Sequence, residues 1–247
     1  MRALIAIPVF NERQYLAGVM AKVRQFHKDI LVIDDGSTDG SETQLRDLAK
    51  RGEIHLLRHA VNRGYGQSLI DAFQFAGNKR YDWVLTMDCD EQHEPGMIPV
   101  FLELMRMNDA DVISGSRYLA PRNEDDAPPP DRLRINQVMT RLINERFNLG
   151  LTDSFCGFKA HRVCAMRKLR LDVPGYAFPM QFWPQVAGAG LRVKEVAVPL
   201  IYKDRSRQFG GELNDSEARL RHYMEVFEAE GERVAEAQPQ HAACCCE

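Results

Sequence analysis

Asp88-Cys89-Asp90 sets two carboxylates at alternate positions just after Tyr81-Asp82-Trp83-Val84-Leu85-Thr86-Met87, a run that predicts a buried strand. In an open α/β sheet, ligands bind outside the carboxyl ends of the strands. A carboxylate pair there suits a hard divalent cation, which typically bridges protein carboxylates to substrate phosphates. The same triplet could equally be a solvated acidic turn leading to a helix after Pro95, and three residues alone do not decide.

Other positions carry the argument further. Ala3-Leu4-Ile5-Ala6-Ile7-Pro8 reads as a first strand and runs into Val9-Phe10-Asn11-Glu12. Ile30-Leu31-Val32-Ile33 reads as a second and runs into Asp34-Asp35-Gly36-Ser37-Thr38-Asp39-Gly40. Asn62-Arg63-Gly64-Tyr65-Gly66-Gln67-Ser68 opens a helix ahead of the Asp88 strand, and Asp111-Val112-Ile113-Ser114 ends in Gly115-Ser116-Arg117-Tyr118. Strand ends that carry acid, glycine and arginine in this order describe a nucleotide-binding α/β domain. Taken singly, Asp34-Asp35-Gly36-Ser37 is a helix-capping turn and Asn62-Arg63-Gly64 a plain turn.

Together, Ile7-Pro8-Val9-Phe10-Asn11-Glu12, Asp34-Asp35-Gly36-Ser37-Thr38-Asp39, Asn62-Arg63-Gly64, Asp88-Cys89-Asp90-Glu91-Gln92-His93 and Gly115-Ser116-Arg117-Tyr118 resemble family 2 glycosyltransferases of GT-A fold. Within that family the chain is most similar to the dolichyl-phosphate mannose synthases and their bacterial polyprenyl-phosphate relatives, over roughly residues 2 to 210. The resemblance implies a three-layer α/β/α sandwich on a mostly parallel, mixed sheet, with a Rossmann-like nucleotide-binding half. It implies one domain over residues 1–235, of which 1–118 take the nucleotide sugar and 119–235 the acceptor, followed by a disordered tail at 236–247.

It also implies roles. Pro8, Phe10 and Glu12 would surround the nucleobase and ribose, with Asp35 on the base, and Asn62 and Gly64 would add a further nucleotide contact. Asp88 would face ribose and metal, Asp90 would ligate the metal directly, and Gln92 would offer another oxygen. The cation, magnesium or manganese, neutralises a departing diphosphate. Cys89 stands where the family commonly has alanine; it belongs with the donor contacts but takes no ligand role, since its thiol stays protonated between two carboxylates. Arg117 would grip the acceptor phosphate, as a guanidinium does bidentately, with Arg132 or Arg134 beside it. Arg207 would close over the donor phosphates. Asp88, Asp90 and Arg117 are thus the expected catalytic residues, each with a surface turn or ion pair as its plain alternative.

The chain departs from the family at several points. Asp153-Ser154-Phe155-Cys156-Gly157-Phe158 carries Phe155 and Cys156 in place of two hydroxyl residues, Gln181 replaces a glutamate, and Glu212-Leu213 replaces a Ser-Lys pair. A phosphate acceptor is already a nucleophile, whereas a hydroxyl acceptor needs a general base. Gln181 cannot be that base, which favours phosphate; Asp153 would be available if the acceptor were an alcohol.

Composition agrees with an enzyme that works in a reducing compartment. The 247 residues can bury a substantial core, and a net charge of −3 leaves no footprint for nucleic acid. The first residues enter a strand at once without a signal-peptide layout, and no stretch approaches the roughly 20 apolar residues of a membrane span. Three of the six cysteines are Cys244-Cys245-Cys246, which is not a disulfide framework and carries no catalytic role. Pro121 to Pro130 reads as a mobile loop. Beyond it, Leu133, Ile135, Val138, Met139, Leu142, Ile143 and Phe147 form a helical stripe among arginines. Such a helix can lie on a membrane surface or pack as a core helix with a basic outer face.

The expected activity is therefore metal-dependent, inverting transfer of mannose or glucose from GDP-mannose or UDP-glucose to a polyprenyl phosphate, in the cytoplasm or peripherally on the inner face of a membrane. The alternatives are transfer to a hydroxyl acceptor and a nucleotide-sugar-binding homologue with weak activity.

Overall fold

A computed structural model describes residues 1–120, 128–201 and 209–237. Most of the proline-rich loop, Arg207 and the three terminal cysteines lie outside the described residues.

Seven strands form one sheet: β1 (Ala3–Val9), β2 (Ile30–Asp34), β3 (His55–Arg58), β4 (Trp83–Thr86), β5 (Val112–Ser116), β6 (Lys159–Arg162) and β7 (Val193–Ala197). Their order is β3-β2-β1-β4-β6-β5-β7. β6 runs antiparallel to β4 and β5, and the other pairs are parallel. Among the described residues eight α-helices flank the sheet: α1 (Arg13–Phe26), α2 (Ser41–Lys50), α3 (Tyr65–Asn78), α4 (Ile98–Met107), α5 (Pro130–Phe147), α6 (Val163–Met166), α7 (Phe178–Gly188) and α8 (Ser216–Ala237).

Alternation along the strands builds the layers, because successive side chains point to opposite faces. Leu4 and Ala6 of β1 join Leu31, Ile33 and Val84 in a core under α3, α5, α7 and α8. Ala3, Ile5, Ile7 and Val9 join Ile30, Val32 and Leu85 in a second core under α1, α2 and α4. The result is the expected α/β/α sandwich with a mixed sheet. α1 buries Leu16, Val19, Met20 and Val23, the stripe its spacing predicts. Ser37-Thr38-Asp39 reads as a capping cluster ahead of a helix, and α2 begins at Ser41, one residue later than that cluster suggests. Gly40 is the cap, at φ 94°, and Asp39 before it accepts from the Ser41 and Arg13 backbone N–H groups.

α5 decides between the two readings of its stripe. Ile135, Met139 and Ile143 are buried, and Val138, Leu142 and Phe147 pack against the same core. Two of its arginines face α8, Arg134 pairing with Glu217 and Arg146 with Glu228 at 2.7 Å, while Arg141 pairs with Glu145 along α5 itself. The expectation that this stripe rests on a bilayer is therefore corrected, since α7 and α8 already cover it. No described helix is long and apolar enough to cross a membrane.

β6 has no apolar signature, because Lys-Ala-His-Arg is a polar string. Lys159 and His161 are nonetheless buried. The Lys159 ammonium donates to the Cys156 carbonyl and lies 5.3 Å from the Trp183 ring centroid, while burial pulls its pKa down. His161 sits between the Phe73 and Phe182 rings, at 4.9 and 5.3 Å. Burial, with Lys159 adding to it, pushes His161 from 6.5 down to about 3.

Between these two values only the unfolded chain takes up the proton, so stability is lost as pH falls from 6.5 toward 3, and nothing is lost above 6.5. His161→Phe keeps a ring between Phe73 and Phe182 and removes this linkage. Urea unfolding at pH 7 and 4.5 should show a stability loss on acidification smaller than wild type by about 2–3 kcal/mol, at about 1.4 kcal/mol per pH unit. Equal losses in both proteins reject a buried neutral His161.

Candidate active site

Because β1, β2, β4 and β5 run parallel, their carboxyl ends meet along one edge of the sheet, and a cleft of about 450 Å³ opens there. The end of β1 contributes Pro8, Phe10 and Glu12, and the end of β2 contributes Asp35. Asn62 and Gly64 enter ahead of α3, and Asp88, Cys89, Asp90 and Gln92 follow β4. Arg117 follows β5, and Arg132 comes from the first turn of α5. Arg134 does not line the cleft: two residues further along α5, it is exposed and held by Glu217.

Phe10 leaves an apolar ring open to solvent at 45% exposure, as a stacking face for a base would require. Asp35 is buried and already engaged. One carboxylate oxygen accepts from Arg63 N at 2.7 Å and faces His59 Nδ1 at 2.6 Å, while the other accepts from Gly64 N at 2.9 Å. The carboxylate thus pins the loop that carries Asn62. Gly64 in that loop has φ 100°, and a Cβ there would lie 2.4 Å from the Pro174 carbonyl oxygen, so this approach demands glycine.

Asp88 is held from its backbone. Its N–H donates to His93 Nδ1 at 2.9 Å, which leaves the histidine proton on Nε2, 3.7 Å from Asp88 Oδ2. Gly157 lies so close that an added Cβ would be 2.9 Å from Oδ2 and 2.7 Å from the Tyr65 hydroxyl. Burial and the Asp88 carboxylate together push the Tyr65 phenol well above its ordinary value, so it stays protonated. Asp88 Oδ1 is buried with no hydrogen-bond partner among the described residues. Asp90 Oδ1 accepts from Gln92 N at 3.0 Å. An orphaned carboxylate oxygen, with a second carboxylate two residues on, fits a divalent cation. No group of three His, Cys, Asp or Glu among the described residues would hold one alone. A cation held by Asp88 and Asp90 would need further oxygen ligands from substrate or water, as magnesium usually does.

At the other end, Arg117 is gripped by Asp153, Nε to Oδ2 at 2.6 Å and Nη2 to Oδ1 at 2.9 Å. Its Nη1 has no hydrogen-bond partner among the described residues. Burial would raise the Asp153 carboxyl, but the Arg117 guanidinium outweighs it and holds the group well below the carboxylate range. Asp153 also accepts from Asn136 Nδ2 and from the N–H groups of Phe155 and Cys156. A carboxylate so committed is a poor base, which corrects the expectation that it could activate an alcohol. Gln181 is not in the cleft; buried, it links Asp172 and Val173 to Glu230 of α8. Its identity therefore says nothing direct about the acceptor.

Sequence reasoning missed several cleft residues. Tyr65 stood inside a quoted motif without a role, and Tyr176, which stacks near it with centroids 6.0 Å apart, lines the cleft as well. Arg219 and Tyr223 of α8 gave no signal, since they lie in a polar helix about a hundred residues after Arg117.

Carboxylates and a glycine loop at one end of a strand-end cleft, with arginines at the other, define a glycosyltransferase built on an α/β sandwich. The chain belongs to glycosyl transferase family 2, whose model matches residues 4–170. It is 29% identical to the undecaprenyl-phosphate mannosyltransferase of Micrococcus luteus, across 87% of this chain and 91% of that one. It is 28% identical to the polyprenol monophosphomannose synthase of Mycolicibacterium smegmatis, across 83% and 78%. Among solved structures, glucosyl-3-phosphoglycerate synthase from Mycobacterium tuberculosis in complex with UDP superposes with a TM-score of 0.69 at 15% identity, covering 93% of this chain and 80% of that one. The same enzyme with Mn2+, UDP and glucosyl-3-phosphoglycerate gives 0.68.

Removing Asp153 leaves the largely buried Arg117 without its partner. Asp153→Ala should destabilise the fold by roughly 3–5 kcal/mol in denaturant unfolding. Activity lost at unchanged stability would instead make Asp153 a catalytic base.

Proposed function

We propose that this glycosyltransferase moves a hexose from a nucleoside diphosphate sugar to a polyprenyl phosphate, with inversion and with the help of a divalent cation. The supporting observation is one cleft that joins the Asp88–Asp90 pair to Arg117, beside which the nearest carboxylate, Asp153, is locked. An acceptor that needs no general base suits such a site. The mannosyltransferase relatives favour mannose, hence GDP-mannose ahead of UDP-glucose as donor.

In this reading residues 1–118 receive the donor and residues 119–235 the acceptor. Phe10 stacks on the base, Pro8 and Glu12 border base and ribose, and Asp35 sets the Asn62–Gly64 loop against the nucleotide. Asp88, Asp90 and Gln92 hold magnesium or manganese, which supplies Lewis-acid charge for the departing diphosphate. An acceptor phosphate oxygen, oriented by Arg117 and Arg132, forms the new bond to the anomeric carbon. The old bond to the diphosphate oxygen breaks with its electron pair leaving on the diphosphate, and no proton moves. A lipid acceptor places this reaction at a membrane surface, which the enzyme meets peripherally.

Labelled GDP-mannose, GDP-glucose, UDP-glucose and UDP-mannose, each with a short polyprenyl phosphate and with or without manganese, test the reading. Label should enter the lipid from one donor when metal is present. Transfer to alcohols but not to phosphates would overturn it.

Asp90→Asn should keep the fold and lose the metal-dependent part of nucleotide affinity, several kcal/mol of charge stabilisation being at stake. Calorimetry with and without manganese reads this. A folded variant with undiminished metal dependence removes Asp90 from the metal site.

A further inference from the structure

Phe155 is a departure from the family pattern, and the structure turns it into the cleft. Its ring meets Tyr223 of α8 with centroids 5.2 Å apart, and both rings line the cavity that Arg117, Arg132 and Arg219 also line. Phe155 is tied to the arginine end through its backbone, since its N–H donates to Asp153 Oδ1 at 3.2 Å and Asp153 grips Arg117. α8 carries Arg219 and Tyr223 four residues apart, hence on one face. Arg219 fastens that face, donating to Asp131 at the start of α5 and to the Leu213 carbonyl. Arg219 and Arg132 both lie against the Phe209 ring, 4.4 and 4.8 Å from its centroid. The arginine end is thus continuous with a patch of aromatic rings, and α8 lies beyond the residues 4–170 that define the family.

We propose that the Phe155–Tyr223 ring pair is a subsite for the first isoprene unit of the acceptor, the branched hydrocarbon esterified to the phosphate that the arginines hold. This inference rests on the lipid-phosphate reading of the site and goes beyond it by naming what selects the lipid. A phosphate ester that leaves the arginines with its next atoms apolar buries them against two rings. An acceptor such as glycerol 3-phosphate would set hydroxyls against the same rings and lose their hydrogen bonds to water. The hydroxyl side chain of the common family pattern at position 155 would not discriminate in this way. Burial keeps the Tyr223 phenol protonated against the opposing pull of Arg219, so the ring is a neutral face.

The test compares full-length wild type, Phe155→Ser and Phe155→Leu with two acceptors, geranyl phosphate and glycerol 3-phosphate, under the same labelled donor. The readout is the ratio of kcat/KM between the acceptors. Wild type should favour geranyl phosphate. Phe155→Ser should lower the ratio at least about tenfold, mainly through the KM for geranyl phosphate, as loss of apolar contacts does, and Phe155→Leu should restore most of it. A folded Phe155→Ser protein with an unchanged ratio overturns the subsite alone. Wild-type preference for glycerol 3-phosphate overturns the acceptor reading and the subsite with it. Photolabelling of wild type by a diazirine analogue of geranyl phosphate needs no variant. Label on the peptides carrying Phe155 or Tyr223 supports the subsite, and label confined to other peptides rejects it.

Discussion

Asp153 is the joint on which the arginine end of the cleft hangs. It has no solvent exposure and accepts from Arg117 at the end of β5, from Asn136 on α5 and from the two N–H groups that follow it. Its own N–H and that of Thr152 are held by Glu195 of β7. Burying a charge pair is expensive, and here every lone pair that would otherwise be stranded finds a donor. The consequence is positional: β5, β7, α5 and the turn carrying Phe155 share one origin, and Arg117 presents only its remaining edge to the cleft.

The acidic end depends on a different constraint, the close approach of β6 to β4. Gly157, two residues before β6, sits against Asp88 and Tyr65 with no room for a side chain, and its carbonyl accepts from Thr86 Oγ1 at 2.7 Å. The antiparallel strand therefore forms a wall of the acidic site as well as part of the sheet. His93 supports Asp88 from below, with its ring stacked on Phe158 from the same stretch, centroids 5.1 Å apart. Between them these contacts leave one carboxylate oxygen of Asp88 without a hydrogen-bond partner among the described residues, the atom best suited to a cation.

These two ends differ in how legible they are. The residues of the acidic end follow strand ends closely in sequence, so apolar runs ending in Asn11-Glu12, Asp34-Asp35 and Asp88-Asp90 announce both the strand and the edge of the cleft. The arginine end gathers Arg117, Arg132, Phe155, Phe209, Arg219 and Tyr223 from separate elements. No local pattern distinguishes Arg132, which faces the cleft, from Arg134, which faces Glu217. Two residues along a helix turn the side chain through about 200°, from 3.6 residues per turn, and packing against α8 decides which one looks inward.

Residue types by themselves determined the parallel strands β1, β2, β4 and β5, the α1 stripe and the order of acid, glycine and arginine at the strand ends, because hydrophobic periodicity and turn chemistry are local. They also determined the family resemblance. Tertiary structure decided that Lys-Ala-His-Arg would be a central strand, because Lys159 and His161 are buried by partners far away in sequence, Trp183, Phe73 and Phe182. It decided that the α5 stripe faces the core instead of a bilayer, since only the position of α8 says which apolar surface is already covered. It likewise decided what surrounds the two buried aspartates, Arg117, Asn136 and two backbone N–H groups at Asp153, and His59 with the Arg63 and Gly64 N–H groups at Asp35, because the donors that meet a carboxylate are set by the fold.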